Sequence, residues 1–241
     1  MPDHPRTTDD DLVGPMTWWD RELAEQVGRD FDGAPAEGVL EWALDRFARR
    51  IVLTCSMADA VLVDMASRLR PGVPVVFLDT GYHFAETVGT AAAMETRYPI
   101  TLLRVTPRLS VPEQDARYGP RLHERDPDRC CAMRKVTPLI EALAPYDAWV
   151  SGIRRGETAA RSGAGVVEYD ERRGKVKINP IASWSDADVE SYIAEHNVLL
   201  NPLLAEGYDS VGCAPCTLPA LAGARSGRWA GTGKTECGLH G

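Results

Sequence analysis

An α/β fold, with an open and mostly parallel sheet flanked by helices, is predicted by three features of the 241-residue sequence. Short runs rich in Val, Ile and Leu alternate with stretches whose apolar residues fall at helical spacing, the pattern of parallel strands joined by crossover helices. The composition, 44% hydrophobic and 26% charged, is that of an ordinary globular chain,. The length suits one main core.

The opening "MPDHPRTTDDDLVGP" has no basic segment followed by an apolar stretch, so it reads as an acidic, flexible arm, which we extend over residues 1–36,. The α/β domain then occupies 37–223. In "GVLEWALDRFARR", Leu40, Ala43, Leu44 and Phe47 share a helical face, and "IVLTC" is a short buried strand,. "DAVLVDMASRL" is helical, "VPVVFLDTG" a strand ending in a polar turn, "FAETVGTAAAMETRY" a helix and "ITLLRV" a third strand,. "TPRLSVPEQDARYGPRLHERDPDR" has prolines, charges and no clean period, and reads as a long loop with one short helix at most,. "CCAMRKVTPLIEAL" is helical despite Pro138, "DAWVSGI" is a fourth strand, and "VVEYDERRGKVKINP" fits a hairpin,. Ser185 and Asp188 form a capping-box start for "DADVESYIAEH",. The tail, 224–241, is rich in Gly, Arg and small residues and reads as mobile,. No repeat or low-complexity segment interrupts the order.

A net charge of −8 argues against a general nucleic-acid binder, though it leaves room for a local cationic pocket,. No apolar run approaches membrane-spanning length, so no membrane partner is expected and the reading is cytoplasmic,. In that compartment thiols stay reduced, and six cysteines point to metal ligation or thiol chemistry rather than a disulfide framework,.

Cys130 and Cys131 form one pair and Cys213 and Cys216, in "CAPC", another; two pairs are what a four-thiolate centre needs,. Side chains of adjacent cysteines diverge, and a cluster has separate irons to offer them, so a [4Fe-4S] centre fits better than zinc, which stands as the alternative. Redox dithiols or buried cysteines are the readings left if the pairs do not meet in space. Cys55 closes an apolar strand, which leaves Cys237 for covalent chemistry, with Lys234, His240, Arg225 and Arg228 nearby to favour a thiolate,. Arg134 with Lys135, and Arg154 with Arg155, are further cationic groups at element ends, suited to phosphate or sulfate or else merely solvated,. The loops "TCSMADAVL" and "LDTGYHF" follow the first two strands and could present N–H groups to an anion; Asp79 and Thr80 serve equally as a helix cap, and His83 is ambiguous,.

With "LDTG", "CCAMRK", "GIRR", "KINPI", "GYDSVGCAPCT", "GRW" and "KTECGLH" in this order between Ile51 and Gly241, the sequence resembles the adenosine 5'-phosphosulfate reductases of assimilatory sulfate reduction. The resemblance implies an adenine nucleotide alpha-hydrolase-like (ATP pyrophosphatase-like) fold and a [4Fe-4S] cluster on Cys130, Cys131, Cys213 and Cys216. It implies Cys237 as nucleophile, with Lys135, Arg154, Arg225, Arg228 and His240 around the sulfate and phosphate. Ser56 to Asp59 and Leu78, Asp79 and Thr80 are then expected to hold the nucleotide. The loop reads "CSMADA" where ATP pyrophosphatases carry "SGGxDS", which argues against ATP cleavage. The implied reaction converts adenosine 5'-phosphosulfate to sulfite and AMP through an S-sulfocysteine that thioredoxin resolves. Relatives that use 3'-phosphoadenosine 5'-phosphosulfate typically lack the cysteine pairs; that substrate, an ATP-cleaving relative and a zinc-stabilised nucleotide-binding module are the rival readings.

Overall fold

The computed structural model describes residues 19–220, 225–229, 234 and 236–240. Of the expected flexible arm, 1–18 lie outside the described residues, while the remainder is folded. Asp20 accepts a hydrogen bond from the Leu23 N–H and starts α1 (Arg21–Asp30), whose Ala24 and Val27 enter the core with Trp19 and Phe31. The polar composition around that narrow apolar stripe is what made the segment read as unstructured.

Next come α2 (Ala36–Phe47), β1 (Ile51–Thr54), α3 (Val61–Leu69), β2 (Val73–Leu78), α4 (Ala85–Arg97) and β3 (Ile100–Val105). This is the alternation expected from the sequence. Residues 106–129 are more ordered than a long loop. Ser110 and Glu113 form a capping box and Pro112 lies in the first turn of α5 (Val111–Tyr118), followed by α6 (Leu122–Arg125) and α7 (Pro127–Cys131),. Only Gln114 of α5 is buried, so caps rather than an apolar face hold this helix, and there is no period to read.

From α7 the chain runs through a π-helical turn, Ala132–Val136, into α8 (Thr137–Leu143). The Thr137 N–H reaches back five residues to the Ala132 carbonyl. Pro138, which has no N–H and crowds the turn before it, sits just beyond this widened turn,. β4 (Ala148–Val150), the antiparallel pair β5 (Val167–Asp170) and β6 (Lys175–Ile178), and α9 (Asp186–His196) complete the domain. α9 begins with the capping box of Ser185 and Asp188.

The six strands lie in the order β3-β2-β1-β4-β6-β5, all neighbours parallel except β5 and β6. Side chains alternate between faces. Ile51 and Leu53 of β1, Val75 and Phe77 of β2 and Ala148 and Val150 of β4 join the main core, whereas Val52, Val76 and Trp149 meet Leu139 and Leu143 of α8 on the other face. The chain runs outward from β1 to β3, then returns to place β4 on β1's other side. The carboxyl ends of β1 and β4 therefore flank a switch point, where open α/β sheets bind ligands. Among the described residues no helix is long and apolar enough to cross a membrane.

Candidate active site

A cavity of about 690 Å3 opens at those strand ends. Its volume is of the size that takes a nucleotide-scale ligand. The loop after β1 forms one wall. It is tied down by Asn201, whose Nδ2 donates to the Met57 carbonyl at 2.9 Å, and by Asp59, whose Oδ1 accepts the Val61 N–H at the head of α3. Ser56, Asp59, Leu78, Thr80 and Arg154 all line the cavity. Removal from solvent holds the Asp59 carboxyl above its ordinary pKa, against the pull of the Val61 N–H and Arg154.

Asp79 departs from expectation. It is absent from the cavity wall; its carboxylate accepts the Gly81 N–H at 3.2 Å and faces Arg104. Asp79 is thus a turn residue, and Gly81 adopts a φ of +73°, strained for any other residue, where an added Cβ would lie a tight 3.1 Å from Arg134 Nη2. Arg134 also points away from the cavity. Its buried side chain donates to the carbonyls of Thr80 and Leu109 and to Gln114 Oε1, and lies over the Tyr82 ring, clamping the turn after β2 to α5 and the cysteine helix. Arg154 bonds Asp186 at 2.7 Å on the cavity rim, whereas Arg155 turns outward to Asp32 and the Ala164 carbonyl.

The two cysteine pairs meet. Burial, then the neighbouring thiolates of Cys131, Cys213 and Cys216, push the Cys130 thiol up to about 12, and Cys216 is raised to about 11 by burial and Cys213. Thr80 Oγ1 lies 3.3 Å from Cys213 Sγ, and His83 and Cys213 form a β-bridge. As they stand, the side chains are not drawn onto a single ion: among the described residues no group of three His, Cys, Asp or Glu is positioned to hold one. The donor set nevertheless suits a cationic multi-atom group. Cys130, Cys131 and Cys213 are buried and Cys216 partly so; burial, with neighbouring cysteines adding to it, raises the Cys130 and Cys216 thiols, and positive charge among the sulfurs would turn the set into stable thiolates,.

Lys135, at the end of the π-helical turn, is 8% exposed and lines the cavity. Burial opposes its charge, yet Cys213, Cys237 and Cys131 keep its pKa above the ordinary lysine value.

Arg225, Arg228, Cys237 and His240 of the tail all reach the same cavity. The sequence places this thiol on a tail that reads as mobile, yet Cys237 is 8% exposed, packed with Cys131 and Trp229. Lys234, expected beside that thiol, pairs with Asp128. Burial and the nearby Arg161 and Arg228 lower the Arg225 pKa, a sign of crowded positive charge. His240 stacks on Trp149, with centroids 5.8 Å apart, and its buried Nδ1 has no partner among the described residues. Removal from solvent, then Lys177, Arg161, Arg173 and Arg225, drive its pKa well below the usual histidine value, so the ring is neutral rather than one of the cations. Trp149 and His240 also border a second cavity of about 620 Å3 between α1 and β5.

Cys55, just past β1, is partly buried and lines the same cavity, and removal from solvent raises its thiol to about 12. Two residues at the site were not among the candidates named from the sequence. Arg161 follows a Gly- and Ala-rich loop and lines the cavity, and Glu236 precedes Cys237; the two form a forked pair, with both bonds at 2.8 Å.

The sequence matches the phosphoadenosine phosphosulfate reductase domain over residues 50–219. It is 58% identical over 223 residues to an adenosine 5'-phosphosulfate reductase of Streptomyces coelicolor, covering 92% of this chain and 94% of that one. It is 53% identical to the enzyme of that name from Mycolicibacterium smegmatis, covering 91% and 94%. The fold superposes on a phosphoadenylyl-sulfate reductase of Candida auris, solved as a phosphate complex, with a TM-score of 0.72, 28% identity, and coverage of 85% of this chain and 100% of that one. The FMN adenylyltransferase of Candida glabrata shares the fold alone, with a TM-score of 0.54 at 14% identity over 82% of this chain and 73% of that one.

Proposed function

The chain belongs to the phosphoadenosine phosphosulfate reductase domain family, and on that premise we propose how its residues carry out the reaction. It is an oxidoreductase acting on a sulfur group, reducing adenosine 5'-phosphosulfate to sulfite and AMP in sulfate assimilation. One observation carries the mechanism: Cys237 shares a single cavity with Lys135, Arg225, Arg228 and the loops after β1 and β2.

The sulfur of the substrate is ringed by negatively charged oxygens that repel a thiolate. Lys135, Arg225 and Arg228 offset that repulsion and receive the charge that develops on the leaving phosphate. The Cys237 sulfur forms a bond to the sulfate sulfur while the S–O bond to the nucleotide breaks, its electron pair departing on AMP. His240, neutral against Trp149, offers a hydrogen bond in the same space. Ser56, Asp59, Leu78, Thr80 and Arg154 hold the nucleotide.

The S-sulfocysteine is then cleaved by a second thiolate. That thiolate bonds to the Cys237 sulfur, the electron pair of the broken S–S bond leaves on sulfite, and a dithiol's other sulfur resolves the mixed disulfide. Thioredoxin is the proposed dithiol, and supplies the two electrons. Because Cys237 is buried beside Cys131 and Trp229, its segment must move outward before a protein reductant reaches it,.

Cys130, Cys131, Cys213 and Cys216 are proposed to hold a [4Fe-4S] cluster, supported by the convergence of the two pairs, with three of the four cysteines buried and the Cys130 and Cys216 thiols raised by burial and then by neighbouring cysteines. When bound, such a group supplies a fixed electrostatic centre that ties the cysteine helix to the Cys213–Cys216 turn; the dithiol electrons suffice for the chemistry. Anaerobic assay of sulfite release from the two phosphosulfates, with and without thioredoxin, tests substrate and reductant together. Sulfite from the 3'-phosphorylated substrate alone, or an undiminished rate without any thiol reductant, refutes the reading. Iron and acid-labile sulfide near four each per chain support the cluster; stoichiometric zinc replaces it.

A further inference from the structure

A thiol that must both enter the anion pocket and leave it needs a hold that is specific and releasable. The tail supplies a candidate next to the thiol itself. Arg161, on the 3-10 turn Ala159–Arg161, has a side chain only 8% exposed. Its Nε and Nη2 donate to the two carboxylate oxygens of Glu236 at 2.8 Å each, and its Nη1 donates to Glu157 at 2.6 Å. Thr158 Oγ1 adds a third bond to Glu236 at 3.2 Å. Arg225 is more distant, 3.7 Å from the same carboxylate.

From this geometry we infer that Glu236 is a positioning residue: its forked pair with Arg161 seats Cys237 in the anion pocket, while its looser hold on Arg225 yields that arginine to the substrate. Consecutive Cα atoms are about 3.8 Å apart, so fixing the Glu236 carboxylate at two points also confines the Cys237 sulfur. Arg161, Arg225 and Arg228 crowd one side of the cavity, with Glu236 and Glu157 as the carboxylates facing them. An incoming sulfate or phosphate can take over Arg225 without breaking either short bond to Arg161. The low pKa of Glu236, set by Arg161 and Arg225 against the opposing effect of burial, keeps it an anion throughout the physiological range.

The inference rests on Cys237 being the sulfonated residue, and its test separates the two ideas. In the holoenzyme, E236Q removes the charge and keeps the shape. Alkylation of Cys237 by iodoacetamide, followed on its own peptide by mass, is expected to speed up about tenfold or more, because the segment loses a charge-assisted pair. With adenosine 5'-phosphosulfate, kcat is expected to fall about ten- to a hundredfold while KM stays level or decreases, since Arg225 and Arg228 lose a competing anion. A residue needed only for folding would lower kcat together with melting temperature. R161M should reproduce the alkylation change, and the double variant should be no worse than either single one. Unchanged Cys237 alkylation in E236Q, or multiplied effects in the double variant, overturns the role of Glu236. Normal turnover by C237S would instead overturn the nucleophile.

Discussion

Lys135→Met isolates the contribution of one buried charge to sulfur transfer. Methionine nearly matches the lysine stem and deletes only the ammonium of a residue that is 8% exposed and whose charge Cys213 and Cys237 favour. During attack, charge leaves the Cys237 thiolate and accumulates on the departing phosphate. Two unit charges about 4 Å apart at an effective dielectric near 20 interact by about 4 kcal/mol. If roughly half a charge develops in the transition state, the ammonium is worth about 2 kcal/mol there, close to thirtyfold in rate. The arginines that remain limit the loss. The assay is single-turnover quench-flow: substrate is mixed with reduced enzyme in the absence of thioredoxin, and the gain of one SO3 unit on Cys237 is followed by intact mass. AMP binding, measured by calorimetry, is expected to change by less than the transfer rate, since Lys135 acts on the reacting centre. Sulfonation at the unsubstituted rate, with AMP binding intact, would show that the charge of Lys135 takes no part in the chemistry.

Three further outcomes are expected. Cys237→Ser should bind nucleotide but form no sulfite and take up no SO3 unit, while Cys55→Ala, whose thiol is held near 12, should be sulfonated on Cys237 at the normal rate; label on Cys55 contradicts the assignment. In Gly212→Ala the new methyl would lie 2.3 Å from Arg228 Nη2, so the guanidinium must swing aside; KM should rise about tenfold with little change in melting temperature, and an unchanged KM removes Arg228 from substrate binding,. Because the folded-state pKa of His240 lies well below 6.5, below that pH the unfolded chain binds a proton that the native state excludes. Stability therefore falls as pH drops from 6.5, by up to about 1.4 kcal/mol per unit; urea titrations of His240→Phe at several pH values should lose that part of the slope.

The alternating pattern made the strands and their crossover helices legible, because buried parallel strands and amphipathic helices write their periods into the residues that meet the core. The same logic hid α5. Only Gln114 of that helix is buried, so its signal lay in Ser110, Pro112 and Glu113, three polar or turn-type residues that also suit a loop. In the site, Cys237, Lys135, Arg225 and Arg228 announced themselves by residue type and local company. Asp79 misled because a carboxylate beside a glycine serves a tight turn as readily as a ligand, and sequence cannot tell which way it points. Arg161 and Glu236 were hidden for another reason: they lie 75 positions apart, and nothing local marks either as the other's partner.

The widened turn at Ala132–Val136 matters beyond its accommodation of Pro138. Each residue of a regular helix rotates by about 100°, so the direction of Leu139 and Leu143 would ordinarily dictate that of Cys130 and Cys131. One extra residue uncouples these phases, so that the rear of the rod grips the sheet while its front aims sulfur and ammonium at the crevice. Removing a single residue there would straighten the rod and turn one end away from its task, a shortening the chain could survive as a fold but not as an enzyme.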